Sequence, residues 1–291
     1  MFLIEYLQQN PTIFLIFTGL FSLAIGSFLN VVIHRLPVML EKDWKQQCNE
    51  FLEQQIEEDT STYNLSLPRS ACPHCGHNIT ALENIPVISY LFLGGKCSDC
   101  KNSISIRYPI VEATTAFLSM VIAWYFGVTI EMLGALLLTW CLICLSMIDY
   151  DHKLLPDNIT LPLLWLGILA NINGAFVSLE DSVIGDIAGY MVLWSIFKLH
   201  NLLTKKEGMG YGDFKLLAAL GAWLGWQALP IIVLMSSLVG AIIGIMLIVF
   251  RGRDRNIPIP FGPYLAIAGW ITMLWGNDLT RMYLHWAGIP G

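Results

Sequence analysis

The chain has 291 residues, of which 55% are hydrophobic and only 13% are charged, and its mean hydropathy is +0.61. A soluble domain carries about 25% charged residues, so this composition argues against an ordinary soluble enzyme and predicts a polytopic membrane protein. The formal net charge is −6, and nothing in the sequence resembles the basic face that binds nucleic acid. The first residues include Glu5 and lack a basic segment, so we expect a retained first span and no removable signal peptide.

Eight apolar stretches predict the fold class: an all-α polytopic membrane protein with about eight transmembrane helices and a cytoplasmic insert after the first of them. The stretches lie at 12–34, 109–127, 130–148, 159–177, 184–203, 214–228, 229–250 and 261–276. A membrane span needs about 20 apolar residues. The stretch 214–228 is therefore short enough to enter and leave the membrane on the same side.

The lysines and arginines predict the orientation of these spans. If the N-terminus lies outside, 15 of the 16 Lys and Arg fall in inside segments or at the adjoining helix ends, and only Arg281 falls outside. Such residues favour the cytoplasmic side, so we expect both termini outside. The predicted parts are a first span at 1–34, a cytoplasmic insert at 35–108 and a membrane domain of about seven spans at 109–291.

Four cysteines of the insert form two C-x-x-C pairs, in the segments CPHCGH and CSDC. They are Cys72, Cys75, Cys97 and Cys100. Two such pairs can present four sulfur atoms tetrahedrally, and a closed shell of four sulfurs suits structural Zn²⁺. Disulfides or free thiols are the alternatives, and a reducing cytoplasm disfavours disulfides. His74 or His77 could replace one sulfur, although we interpret both as surface histidines.

Carboxylates at the ends of predicted spans are candidates for catalysis. The third span ends at Asp149 and the sixth begins at Asp213, so both should lie at the same depth on the cytoplasmic side. Two facing carboxyl groups can share one proton, with one acting as a general base on water and the other polarising a carbonyl. The alternative for Asp213 is a first-turn acid favoured by the helix dipole. We interpret Asp157 as a helix N-cap and Asp151 as facing the aqueous phase.

The glycines that precede Asp213 resemble a phosphate-binding loop only superficially. The segment GMGYG does not match G-x-G-x-x-G, and no strand pattern precedes it. We interpret Gly210 and Gly212 as sources of backbone freedom, which would let the chain bend sharply beside Asp213.

Five blocks of the sequence occur in a recognisable order. They are GSFLNVVIHRLP at 26–37, the two C-x-x-C pairs, SIRYPIVE at 105–112, IDYDHKLLPDNITLP at 148–162 and GYGDFKLLAALGAWLGW at 210–226. Together they cover nearly the whole chain and closely resemble the type IV prepilin peptidase family. The G-x-G-D element alone is less specific, because presenilin-like proteases share it.

The resemblance implies a bifunctional enzyme of the bacterial inner membrane. Such enzymes cleave the basic leader from type IV prepilins and type II secretion pseudopilins at the cytoplasmic membrane face. They then N-methylate the new N-terminal residue with S-adenosylmethionine. The resemblance assigns catalysis to Asp149 and Asp213, with Gly210 and Gly212 in the supporting loop. It matches the cysteine pairs to those of zinc-binding members. In an inner-membrane protein, the outside termini predicted from the Lys and Arg distribution would be periplasmic.

The methyltransferase half has no clear signature in the sequence. No Rossmann pattern is present, and Glu112, an acid within the second span, is our candidate for the methyl-donor site; its alternative is a helix-terminus acid. Two other functions stay open: a presenilin-like protease acting on other membrane peptides, and a non-catalytic assembly factor or transporter whose aspartates bind ions. The four-cysteine insert favours the prepilin peptidase, because intramembrane proteolysis has no evident use for it.

Overall fold

The computed structural model describes residues 2–52, 62–205, 210–251 and 259–286. Within these ranges the chain forms helices and no β-strand, so the predicted all-α fold is confirmed. The α-helices there are α1 (Phe2–Gln9), α2 (Pro11–Phe51), α3 (Ile88–Phe92), α4 (Arg107–Phe126), α5 (Ile130–His152), α6 (Asp157–Ala170), α7 (Leu179–Thr204), α8 (Tyr211–Leu224), α9 (Leu229–Arg251) and α10 (Gly262–Trp286). The chain divides into two compact units, Met1–Met132 and Leu133–Gly291.

The first unit is built on the packing of α2 against α4. Gly26 allows the two backbones to approach closely, because a Cβ atom there would lie 2.7 Å from the Cα atom of Glu112. Helix α2 has 41 residues and is about 62 Å long, about twice the thickness of a bilayer core. The predicted start of the insert at residue 35 therefore lies inside a continuous helix, which passes through Pro37 and ends at Phe51. Loss of hydropathy marks the predicted boundary, and the helix continues beyond it.

Helix α8 forms the core of the second unit. Nearly all of its side chains from Phe214 to Trp223 are buried, and the helix packs against α6, α7 and α10. The contact with α7 is closest at two glycines, since a Cβ atom added to Gly185 or to Gly221 would overlap the carbonyl oxygen of the other. Small residues at such contacts let helix backbones approach closely, as is common in membrane bundles.

The C-terminal end of α8 is buried, and side chains satisfy its carbonyl groups. The Asn171 amide nitrogen donates hydrogen bonds to the carbonyl oxygens of Ala222 at 2.9 Å and Trp223 at 3.2 Å. The Ser182 hydroxyl also donates to the Ala222 carbonyl. Unpaired carbonyl groups in apolar surroundings cost free energy. These two polar side chains therefore allow a short helix to end inside the unit.

Each of the eight predicted apolar stretches lies largely in a helix, but eight membrane crossings are not confirmed. Among the described residues, five helical segments are long and apolar enough to span a membrane: α2, α4, α5, α7 and Trp226–Phe250. Helices α6 and α8 have 14 residues each. Their length of about 21 Å is less than the bilayer core of about 30 Å, so the count of eight stays a prediction.

Candidate active site and metal centre

Asp149 lies in the last turn of α5, where the helix dipole disfavours a carboxylate. Its side chain is only 5% exposed. Its Oδ2 atom accepts a hydrogen bond of 2.9 Å from the backbone N–H of Gly262, the first residue of α10. The N-terminal end of α10 thus compensates the carboxylate at the C-terminal end of α5. The fold holds this acid in one position.

Asp213 lies in the first turn of α8 and is 8% exposed. Its backbone N–H bonds to the carbonyl oxygen of Gly210 at 3.3 Å, so it is the first-turn acid that one interpretation predicts. Leu155 lies against Gly212, the residue before Asp213, and also against Gly262, whose N–H group binds Asp149. The structure therefore brings the two predicted aspartates together, and the two interpretations of Asp213 are compatible.

Each aspartate has a glycine next to it, Gly212 before Asp213 in the sequence and Gly262 against Asp149 in space, and contact with Leu155 explains why both are glycine. A Cβ atom at Gly212 would lie 2.8 Å from the Leu155 Cβ, and one at Gly262 would lie 3.1 Å from Leu155 Cδ2 and 2.7 Å from Asp149 Oδ2. Gly212 is thus needed because a side chain would not fit against Leu155. Its backbone conformation does not require glycine, since its φ is not in the left-handed region. Gly210 has a φ of −81° and open space around it. The start of α8 therefore does not require the backbone freedom of glycine at Gly210, and the predicted bend stays a prediction, since residues 206–209 lie outside the described part of the chain.

An ion pair near the start of α8 links this helix to α6. The Lys215 Nζ atom lies 2.7 Å from each carboxylate oxygen of Asp157. The predicted N-cap role of Asp157 is wrong, because Pro156 occupies the cap position and no side-chain hydrogen bond caps α6. Asp157 is instead a first-turn acid whose carboxylate binds Lys215. Asp151 is exposed, and its position in the aqueous phase stays a prediction.

Gly262 and Leu155 are the residues of this site that the sequence interpretation misses. The segment Phe261–Gly262–Pro263 carries a recognisable helix-start signal, since proline is favoured in the first turn. That signal locates the start of a helix and does not identify the carboxylate that its first N–H group binds.

The four cysteines meet in the first unit with the geometry of a tetrahedral metal site. Their sulfur atoms all lie within 4.8 Å of one another. The sulfurs of Cys72 and Cys100 are 3.8 Å apart, and those of Cys75 and Cys97 are 3.9 Å apart. Zn–S bonds of about 2.3 Å in a tetrahedron place the sulfurs about 3.8 Å apart. The cysteines are not joined as disulfides, and these distances fit a metal ion held by four thiolates.

The two C-x-x-C pairs form knuckles of the same construction. In the first, the Cys72 N–H bonds to the His77 carbonyl at 2.9 Å, and in the second the Cys97 N–H bonds to the Asn102 carbonyl at 2.8 Å. The residue after each second cysteine has a positive φ, 72° at Gly76 and 60° at Lys101. Each knuckle thus depends on a local turn, which is why the spacing predicts it.

Glu83 joins the two knuckles through its carboxylate. It accepts hydrogen bonds from the side chain of Ser98 and from the Thr80 N–H, and these lower the pKa of Glu83 to about 2. Its oxygens also lie 3.3 Å from the His77 Nε2 atom. His77 is therefore directed at Glu83, and among the described residues the metal-binding cluster contains only cysteines.

Glu112 lies in the first unit, on α4, and is 8% exposed. The first turn of α4 carries no acidic residue, so the helix-terminus interpretation does not describe it. The structure gives this acid its own surroundings within the first unit, which are described below.

The helices and the two sites define a class: a helical membrane protein with a buried aspartate pair, the catalytic groups of aspartic peptidases, and a four-cysteine centre. Comparison with known proteins narrows this class to one family. Residues 20–126 match the Bacterial Peptidase A24 N-terminal domain, and residues 136–245 match the Type IV leader peptidase family.

Relatives are similar to this chain over nearly their full length. A prepilin leader peptidase/N-methyltransferase from Pseudomonas aeruginosa is 57% identical over 98% of this chain and 99% of the relative. Proteins of the same name from Aeromonas hydrophila and Legionella pneumophila are 59% and 49% identical, over 97% and 95% of this chain and 98% and 96% of their own length. No solved structure matches the chain significantly. The chain belongs to the type IV leader peptidase family, and the predicted resemblance is confirmed.

Proposed function

We propose that this chain cleaves the leader peptide from type IV prepilins and type II secretion pseudopilins, and then N-methylates the new N-terminal residue. The names of its relatives support both activities. The observation that carries the peptidase half is that Asp149 and Asp213, two buried acids from different helices, lie on either side of Leu155, which is in contact with Gly212 and Gly262. Burying two acids side by side is costly, so a function in catalysis explains their position better than stability does.

The proposed cleavage uses the two carboxyl groups in complementary states. Because two like charges in contact cannot both ionise cheaply, one group is ionised and the other is protonated. The ionised group removes a proton from water, the water oxygen attacks the scissile carbonyl carbon, and the protonated group donates to the carbonyl oxygen. The C–N bond then breaks, and the leaving amine takes up a proton. The Gly262 N–H holds Asp149 in place for this reaction.

The methylation half uses the amine that cleavage releases. S-adenosylmethionine supplies a methyl group from its positively charged sulfur. Attack by the neutral amine forms an N–C bond, breaks an S–C bond and leaves the sulfur neutral, and the methylated amine loses one proton. This methyl transfer requires no oxidant or reductant.

The proposed location is the bacterial inner membrane, with the aspartates at the cytoplasmic face and both termini periplasmic. The distribution of Lys and Arg supports this orientation. With this orientation we expect a first span at residues 1–34, a cytoplasmic insert at 35–108 and a membrane domain at 109–291. We further propose that the metal held by the four cysteines is Zn²⁺ with a structural role, since a closed shell of four sulfurs leaves no position for substrate.

The peptidase assignment is tested with the full chain in lipid vesicles, a prepilin substrate, and mass spectrometry of the product N-terminus. We expect Asp149→Asn and Asp213→Asn each to abolish cleavage. Asp151→Asn, an exposed acid on the same helix as Asp149, is the matched control and should cleave normally. Cleavage by either of the first two variants at the wild-type rate would remove that residue from the proposed pair.

A further inference from the structure

The first unit contains a cavity of about 600 Å³ that the peptidase reaction does not use. Its wall is formed by α2, by α4 and by the cysteine-bearing insert between them, and it includes Asn30, Arg35, Tyr90 and Glu112. Ligand pockets of proteins have volumes of about 300–1,000 Å³ and combine apolar walls with a few polar groups. This cavity has both properties.

The walls of the cavity are joined to one another by hydrogen bonds. Arg35 of α2 donates to the carbonyl oxygens of Asn64 at 2.9 Å and Pro68 at 2.6 Å, which ties the insert to the helix. The Asn30 amide nitrogen donates to the Tyr108 carbonyl of α4 at 3.1 Å. The cavity is therefore formed before any ligand enters it, which lowers the entropic cost of binding.

Glu112 provides a buried carboxylate in this wall. Its Oε2 atom accepts a hydrogen bond of 2.8 Å from the Val87 N–H, and the Ser27 side chain also bonds to the carboxylate. Val87 donates from an unusual γ-turn, with φ 61° and ψ −47°, closed by a 2.6 Å bond from the Ile88 N–H to the Pro86 carbonyl. Such turns are rare and strained, so the surrounding structure holds this N–H group on Glu112.

The charge of Glu112 has no cationic partner in the described part of the chain. Both of its hydrogen-bond partners are neutral groups, and no ion pair within residues 2–52, 62–205, 210–251 and 259–286 includes it. A buried carboxylate is stabilised by an opposite charge. A cationic ligand in the cavity would supply that charge.

A sulfonium ion suits this position better than an ammonium ion. An ammonium group carries three N–H donors that each need an acceptor when they are buried. A sulfonium group carries positive charge without any N–H donor, so one carboxylate that already accepts two hydrogen bonds can neutralise it. The cavity wall also contains exposed Arg69, which can bind a carboxylate at the opposite end of a zwitterionic ligand.

We propose that this cavity is the binding site of S-adenosylmethionine, and that the Glu112 carboxylate lies against its sulfonium group. This inference rests on the methyltransferase activity proposed above. It assigns the methyl donor to the first unit, and it makes Glu112 a residue that contacts the donor and has no part in peptide cleavage.

The test measures binding to the purified full-length chain by calorimetry, without a peptide substrate, for two ligands that differ at the sulfur. S-adenosylmethionine has a positively charged methyl sulfonium group, whereas S-adenosylhomocysteine has a neutral sulfur. We expect wild-type protein to bind S-adenosylmethionine about tenfold or more tightly than S-adenosylhomocysteine, as a charged contact of this kind implies. Glu112→Gln should bring the two affinities within about threefold, while prepilin cleavage and metal content stay unchanged.

Two further variants locate the effect. Glu41→Gln removes an exposed acid of α2 outside the cavity and should preserve the preference for S-adenosylmethionine. Ser70→Trp adds bulk to the cavity wall and should weaken binding of both ligands by about tenfold or more, even if Glu112→Gln proves unstable.

The proposal is overturned if Glu112→Gln keeps the preference for S-adenosylmethionine or if Ser70→Trp binds both ligands with wild-type affinity. It is also overturned if the wild-type chain methylates pilin and S-adenosylmethionine does not bind to it. Absence of methylation by the wild-type chain, with cleavage intact, would instead contradict the proposed methyltransferase function itself.

Discussion

The aspartate site and the cysteine site of this chain are held in place by opposite means. The aspartates lie at helix ends within a packed core, where Leu155, Gly212 and Gly262 leave no space for another carbon atom. In the part of the insert between the described ends of α2 and α4, residues 62–106, Cys97 is the one buried residue. So small an apolar core cannot offset the conformational entropy of folding.

The aspartate site should therefore depend on packing, and the cysteine site on bound metal. Packing positions the carboxyl groups, so an added methyl group should damage the peptidase and leave the cysteine site intact. Bound metal should stabilise the insert, so loss of one sulfur should unfold the insert and leave the helical core intact. Each prediction below tests one side of this contrast.

Cys97→Ser should have the largest effect on structure. With three sulfur ligands left, we expect metal content to fall to background and the insert to become sensitive to protease, because structural zinc contributes about 10–16 kcal/mol in small zinc domains. Metal analysis and limited proteolysis of the full chain provide the measurement. Cys48→Ser changes an exposed cysteine outside the cluster and should retain the metal. A protease-resistant insert in metal-free Cys97→Ser would contradict the proposed dependence on metal.

Gly262→Ala should have the largest effect on catalysis among variants that keep both aspartates. The new methyl group would lie 2.7 Å from Asp149 Oδ2, so the carboxylate must move, and a displacement of about 1 Å can reduce catalysis about 100-fold. The readout is the rate of prepilin cleavage, together with metal content, which should not change.

The matched control is Gly244→Ala in α9, where the added methyl group would meet only the end of the Ile259 side chain at 3.3 Å. This variant should cleave prepilin at nearly the wild-type rate. Wild-type cleavage by Gly262→Ala would show that the site tolerates movement of Asp149 and is not fixed by packing.

The same contrast explains how much of the molecule could be predicted from its sequence. The cysteine centre was predictable because each knuckle is a local turn and C-x-x-C spacing encodes it. The meeting of Asp149 and Asp213 was predictable in part, because the membrane places the ends of two spans at one depth. The contacts of Gly262 could not be predicted, since its partner Asp149 lies far away along the chain and no local pattern records that contact.

Helix lengths were less predictable than helix positions. Hydropathy locates α8 correctly, but its end at Leu224 depends on Asn171 and Ser182, which bind its last carbonyl groups from other parts of the chain. Likewise, α2 continues beyond its apolar part because helix propensity persists after hydropathy falls. Tertiary contacts and solvent exposure, which the apolar pattern does not contain, set these boundaries.

The two knuckles provide a finer test of local control. Gly76→Ala puts a side chain at a φ of 72°, which should cost about 1–2 kcal/mol of metal-dependent folding free energy. Lys101→Gly should change that free energy by less than about 0.5 kcal/mol, because relief of the strained φ is offset by greater freedom of the unfolded chain. Competition with a chelator measures both variants. Equal losses in the two would show that backbone conformation does not control the knuckles.

The ion pair between Lys215 and Asp157 should have the smallest effect. Its side chains are 28% and 49% exposed, and pairs of that kind contribute less than about 1 kcal/mol. A double-mutant cycle with Lys215→Met and Asp157→Asn, followed by unfolding in detergent, measures the coupling free energy, which added salt should reduce further. A coupling above about 2 kcal/mol would mean that charge, and not packing alone, holds the start of α8 against α6. The aspartate site would then resemble the cysteine site in depending on a specific polar link.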